Sequence, residues 1–286
     1  MFMGAMISLL MFMNTQSLYA QSTANPPPVQ IFYIPIPEDQ AANTFEAINP
    51  GQGGNQNTYI SIAAVANGTI VYYDQWENGY DSDIANPLNL YSGSNTGGTQ
   101  IWGDGIASNG CVPNKNGVAI TCTNANDLIN AGNVIVLNSN IAPTAAGMAI
   151  IDFDARDKIG TSKPIAMTRT GWPDTPGTVF AGATEILDTI NWGIRYDVPI
   201  GQNTASNNVF SYVAASIMAA QNGTIVTIDP DGTGPAGTTT CTLNEGESCV
   251  VGALNQGATI ISTAPVQVDL ITGNAGAQWR SDWTTL

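Results

Sequence analysis

Apolar runs rich in Val, Ile and Thr alternate with polar turns along most of the chain, most regularly over residues 207–274. Runs of this length between turn residues predict short, half-buried strands. Asn222-Gly223 divides two such runs and predicts a hairpin, because a tight two-residue turn needs positive φ at both central positions. Further turns are expected at Gly232 and Gly234, over 244–247 and over 255–257. Pro265 interrupts the last long run, which predicts an edge position or a bulge there. The segment reads as a compact antiparallel unit of about five strands.

The same order of phrases occurs earlier in the chain. YISIAAVANGTIVYYD (59–74) matches SIMAAQNGTIVTID, so that Asn67, Gly68, Thr69 and Asp74 correspond to Asn222, Gly223, Thr224 and Asp229. INAGNVIVL (129–137) matches LNEGESCVV (243–251), and KIGTSKPIAM (158–167) matches TIISTAPVQV (259–268). An internal repeat outranks local propensity as evidence of architecture. The fold class expected is all-β, with two related, sandwich-like antiparallel units and propeller-like blades as the alternative. The first unit is expected over 31–175, carrying a long loop insertion over 78–127, and the second over 176–286. Strands are expected over 127–137, 148–153 and 164–170, and residues 38–57 read as loop. The one segment compatible with a helix lies around 183–189, where strand fits as well.

Composition adds a compartment. Residues 1–20 are apolar and end in small and polar residues, which reads as a secretory signal peptide, followed by a Pro-rich linker over 21–30. No other run has the length a spanning helix needs, so no membrane span is expected after signal removal. The chain has 22 acidic and 7 basic residues, no His, and a net charge of −15, which argues against nucleic-acid partners. The four Cys suit an exported protein. A two-residue turn at Asn116-Gly117 would pair Lys115 with Val118 and set Cys111 opposite Cys122, whereas the turn after Cys241 leaves Cys249 near but out of register. Three connectivities exist, and 111–122 with 241–249 is preferred.

Candidate chemistry is sparse. Asp74, Glu77, Asp81 and Asp83, with Asp229 and Asp231 in the matching place of the second copy, could supply oxygen ligands to calcium. Thr240 stands where a calcium-binding EF-hand loop would need Glu, so DPDG (229–232) does not open one. The plainer reading is Asp ending strands and capping turns. DFDARDK (152–158) reads as a solvated strand face with ion pairs, or as a polar groove. Trp76, Tyr80, Trp102, Trp172 and Trp192 are aromatics that could stack on a sugar, with Trp76 and Trp102 favoured because the inserted region carries them; core packing is the competing reading. Without His there is no Ser-His or Cys-His pair, and no phosphate-cradling glycine loop is present.

FYIPIPEDQ (32–40), VYYDQWENGYD (71–81), TQIWGDG (99–105), DKIGTSKPIAMTRTGWP (157–173) and GATIISTAPVQVDLITGN (257–274) together resemble the exported N-terminal head regions of large bacterial repeat-containing surface proteins. STAPVQVDLITGN is also distantly similar to a strand of the IgGFc-binding-protein N-terminal domain. The resemblance implies a secreted or cell-surface location and an adhesive or structural role without catalysis. The expected function is a non-catalytic adhesion module meeting an extracellular protein or glycan. The alternatives are a calcium-assisted glycan-binding module and a secreted glycosidase using a pair of carboxylates.

Overall fold

The computed structural model describes residues 25–144, 152–175, 181–204, 208–235, 237–276 and 281–286. It is mostly β, built from two copies of one antiparallel unit. In the first copy β1 (Gln30–Tyr33), β8 (Lys158–Thr161), β3 (Val71–Asp74) and β4 (Gln100–Trp102) form one sheet in that order. The sheet facing it runs β10 (Gly182–Glu185), β9 (Ile165–Pro173), β2 (Gln56–Ala64), β7 (Val134–Ile141). Alternating residues of both, including Phe32, Val71, Tyr73, Trp102 and Ile159 from one and Ile60, Ile62, Ile135 and Met167 from the other, fill a shared core.

The second copy repeats this strand for strand. β11 (Gly193–Asp197), β16 (Thr259–Gly273), β13 (Thr224–Asp229) and β14 (Thr239–Leu243) follow the order of the first sheet. β17 (Ser281–Thr285), β16, β12 (Tyr212–Ala219) and β15 (Ser248–Gly252) follow that of the second. Registers agree as well. Asp74 faces Lys158 and Asp229 faces Thr259. Ile62 lies between Met167 and Ile135, as Ile217 lies between Val268 and Cys249. These are the correspondences read from the repeated phrases.

One difference is continuity. β8 and β9 are separate strands, but their counterpart β16 runs unbroken through Pro265. It pairs with β13 before the proline, with β12 and β17 after it, and with β11 on both sides, at 259–261 and at Val266. Pro265 is therefore no edge residue; it marks the bend where one strand passes between layers, and the pairing with β11 is irregular there. The result is one nearly closed, barrel-like sheet. Its remaining gap, between β14 and β15, is spanned by the Cys241–Cys249 disulfide, Cα atoms 6.6 Å apart.

The Asn-Gly turns are corners rather than hairpins. β2 and β3, like β12 and β13, lie in different layers, and only the glycines take positive φ (Gly68 66°, Gly223 71°). The Asn67 and Asn222 side chains instead accept from the backbone N–H of Ala131 and Glu245, each at 3.0 Å, pinning the corner to the turn before β7 or β15. The two-residue hairpin does occur at Asn116 (φ 54°) and Gly117 (φ 77°), where Lys115 faces Val118 across β5 (Asn114–Lys115) and β6 (Val118–Ala119).

Three further expectations are corrected. Residues 38–57 contain α1 (Glu38–Ile48), which turns Ala41, Ala42, Phe45 and Ile48 into buried packing. Asn43 within it and the flanking prolines hid that stripe; Glu38 and Asp39 suit its first turn. Over 183–189 the strand alternative holds at 183–185, in β10, whose pairing with β9 carries the first copy to Glu185 rather than 175, and only Thr189 begins a short 3-10 turn (Thr189–Asn191). The 78–127 region is not one insertion, because β4 inside it is a repeat strand, the counterpart of β14. The expected strand over 148–153 lies largely outside the described residues, as does the signal segment.

The copies dock through Trp283 of β17. A Cβ on Gly182 or Gly171 would stand 2.0 or 2.7 Å from the indole, so the two glycines make its seat. Phe45 stacks on it at 6.0 Å, Arg169 lies 5.6 Å from its ring, and Ile36, Ile48 and Ile271 complete the cluster. Among the described residues no helix is long and apolar enough to cross a membrane.

Candidate functional site

The acidic residues proposed for calcium are spent on local structure. Asp74 is buried and accepts from Asp81 N (2.8 Å) and Thr99 Oγ1 (2.9 Å); burial pushes its pKa up to about 6. Asp81 accepts from Leu88 N and from the same Thr99 hydroxyl. Asp83 caps the turn at Ala85 and Asn86. Asp229 accepts from Gly232 and Gly234, and Asp231 from Thr233. Among the described residues no group of three or more Asp, Glu or Cys is placed to hold a metal ion. The turn-capping reading accounts for the geometry.

Trp102 is a core residue: fully buried, stacked on Tyr73 at 5.0 Å, with its indole N–H donating to Gln100. It offers no stacking face to a ligand, and Trp172 is likewise stacked, on Tyr59. Cys241 and Cys249 are bonded. Cys111 and Cys122 are free thiols. Burial and the neighbouring Cys122 side chain push the Cys111 thiol up to about 12. The hairpin spends its outer residues on β7 instead, with Asn114 and Asn116 bonded to Val136 and Val134.

Trp76 survives as a candidate, at the mouth of a cleft that both copies build. The first copy contributes Trp76, Tyr80 and Arg156; the second contributes Thr242, Leu243, Glu245, Gly246, Glu247 and Ser248. The cleft is about 480 Å³. A second cleft, about 490 Å³, opens on the far side of Glu245 between Tyr33, Asp83, Lys158, Thr189 and Gln221. Glu245 is the post between them: Tyr33 Oη donates to it at 2.6 Å and Lys158 Nζ at 2.8 Å. Gly246 leaves room for Tyr80, whose hydroxyl would lie 1.6 Å from a Cβ there. The turn at 244–247 is thus a repeat element turned into half of a site.

Beneath Trp76 lies a nest of carboxylates that the sequence did not mark as buried. DFDARDK forms a loop rather than a strand, and Asp154 and Asp157 are buried, not solvated. Asp157 accepts from Tyr73 Oη, Trp76 N and Asp154 N. Asp154 accepts from the Trp76 indole N–H at 3.1 Å, which fixes the ring. Glu38, at the start of α1, pairs with Arg169 at 2.6 Å and accepts from Ala155 N. Arg169 also donates to the carbonyls of Pro35 and Ile36. Both Glu77 carboxylate oxygens are shielded from solvent and accept from no neighbouring residue; only the Glu77 backbone N–H reaches them.

Mutual repulsion in a dry setting raises these acids. Burial, then Glu38 and Glu77, push Asp154 up to about 9; burial, then Asp152 and Glu38, push Glu77 up to about 7. Asp157 is raised by burial and by Asp154 and Glu77. Arg156 roofs the nest. Its guanidinium lies 4.8 Å from the centre of the Trp76 ring and 3.1 Å from Asp39, and its backbone is held at φ 78°, with its carbonyl accepting from Tyr80 Oη. A non-glycine residue in this conformation is strained, and surrounding bonds must hold it. The arrangement provides an aromatic platform, a cation and a desolvated set of acceptors.

No family model matches the chain, and neither does any curated protein or solved structure.

Proposed function

We propose that the protein is a non-catalytic, exported binding module that grips an extracellular macromolecule in the cleft between its two copies. The observation that carries this is the cleft's composite build: Trp76, Tyr80 and Arg156 from the decorated copy face the 242–248 segment of the plain one. Ligand sites favour such seams, where a rigid scaffold presents loops from two sides. The paired β sheets outside the cleft support a structural role for the remainder, and the Cys241–Cys249 bridge is a bond that persists in oxidising compartments. The likeness to surface-protein head regions points to adhesion.

The test is binding of the purified chain to arrayed peptides and oligosaccharides, followed by the same arrays with Trp76→Ala. Loss of the positive spots with an unchanged melting curve supports the reading. Positive spots that ignore Trp76→Ala place binding elsewhere. Hydrolysis of an arrayed oligosaccharide, abolished by Glu245→Gln, would replace a gripping module with a glycosidase.

A further inference from the structure

Resting on that cleft reading, we infer that the ligand is a basic protein segment whose guanidinium or ammonium group takes the place Arg156 now holds over Trp76. The first reason is unspent acceptors. Glu77 presents a carboxylate reached only by its own backbone N–H, and the Gln75 side-chain carbonyl, on a residue 0% exposed, has no donor. The Gln75 amide nitrogen reaches the Asp152 carbonyl, which puts that head group beside the acids pressing on Glu77. Buried acceptors left unpaired are costly, so a donor-rich group is the fitting complement. A guanidinium carries five N–H donors and an ammonium three, whereas a sugar hydroxyl carries one.

The second reason is charge. Glu38, Glu77, Asp152, Asp154 and Asp157 crowd one another, so that Glu77 and Asp154 retain protons that an added cation would release, while Arg169 is committed to Glu38 and to backbone carbonyls. Among the described residues Arg156 is the cation left at the nest's mouth, and its own ion pair is with Asp39, outside the group. The whole chain carries −15, which steers basic partners inward.

The third reason is that the molecule already holds its own cations this way. Arg156 lies over Trp76 beside Asp39. Lys158 lies 5.8 Å from both the Tyr33 and Tyr80 rings with Glu245 at 2.8 Å. Ring face plus carboxylate is the recognition chemistry of cationic groups. Arg156 is thus an internal stand-in, which an incoming arginine displaces without any covalent step.

The experiment titrates the intact chain by calorimetry with a peptide alternating Gly and Arg, and with the same peptide carrying citrulline in place of Arg. The Arg peptide is expected to bind, more weakly as salt rises, and the citrulline peptide to give no heat. Glu77→Gln should weaken binding about tenfold, the loss of one charge-assisted hydrogen bond. Arg156→Asn tolerates the left-handed backbone and should strengthen binding by removing the competitor. Should that variant fail to fold, Asp39→Asn frees the same guanidinium and should act in the same direction. Equal binding of the citrulline peptide, or weaker binding after Arg156→Asn, overturns the inference. Binding of spermine but not the peptide overturns the assignment to a protein segment. A Trp76-dependent oligosaccharide without peptide binding overturns it while the cleft stands; no Trp76-dependent binding on any array removes both.

Discussion

The two copies share strand order and register but differ in how they finish the same frame. At the closing edge the second copy places Cys241 and Cys249, covalently joined; the equivalent positions in the first copy are Trp102 and Ile135, both buried in its core. On the outer face of the β1-β8-β3-β4 layer, Tyr72, Ile101 and Ile31 pack under Ile84 and Ala85. The equivalent residues on the second copy, Thr227, Thr240 and Arg195, are exposed, and Ile225 and Ile261 are 44% and 45% exposed. One copy is closed by side-chain volume and covered by its own loops; the other is closed by a covalent bond and left bare. The lesson is a division of labour. The chain between β3 and β4 grew in the first copy, where it supplies Trp76 and Tyr80 and roofs a sheet face. The chain between β14 and β15 stayed a short turn in the second copy, where the first has residues 103–133, and that turn became the opposing wall.

The largest effect should come from breaking the dock that holds the copies in this arrangement. Trp283→Ala empties the seat formed by Gly171, Gly182 and Phe45. It should cost about 3–5 kcal/mol, read by urea denaturation, and should turn one transition into two. Next is the covalent closure: Cys241→Ser with Cys249→Ser opens the edge of the second copy and should cost about 2–3 kcal/mol from loop entropy. Hydrogen exchange should then rise in β14 and β15 while β4 and β7 keep their protection. Third is the covered face. A Cβ on Gly160 would sit 2.4 Å from Ile84 Cδ1, so Gly160→Val should cost about 1–3 kcal/mol by overpacking.

A smaller, graded effect is set by the carboxylate nest. Glu77 and Asp154 have folded-state pKa values raised to about 7 and about 9, above those of free carboxylates. The folded state therefore holds extra protons, and stability falls as pH rises. That contribution is complete below the ordinary carboxylate range of about 4 and is lost through 7 to 9. Glu38, Asp39, Asp152, Asp157, Arg156, Arg169, Tyr73 and Tyr80 share the field. A melting temperature that rises from neutral to alkaline pH would contradict the assignment. Smallest of all is Ile261→Thr on the bare face, expected within about 0.5 kcal/mol of the parent. Its contrast with Gly160→Val, at the same position by repeat equivalence, is the sharpest mutational measure of covered against bare.

The duplication was readable because it rests on spacing: Asn67 to Asp74 and Asn222 to Asp229 hold the same interval, and interval fixes register. The turn type was not, because Asn-Gly serves a hairpin at 116–117 and a corner at 67–68 and 222–223, and only the partners of the flanking strands decide. Helix α1 was hidden because its stability comes from Phe45 and Ile48 packing on Trp283 and Ile271, far along the chain, rather than from propensity. Trp76 lines the cleft, yet Trp102 shared every local feature and is core. Asp154 and Asp157 were misassigned because DFDARDK alternates like a strand, whereas Tyr73 and the Trp76 indole pull both acids inward. Glu245 carried no signal at all; its role depends on Tyr33 and Lys158 of the other copy.

The shared cleft is tested most directly by hydrogen exchange on the intact chain with and without the arginine peptide. Protection arising together at residues 76–80 of the first copy and 244–248 of the second is the expected result. Protection confined to one copy, or falling on neither segment while the peptide is bound, would contradict it.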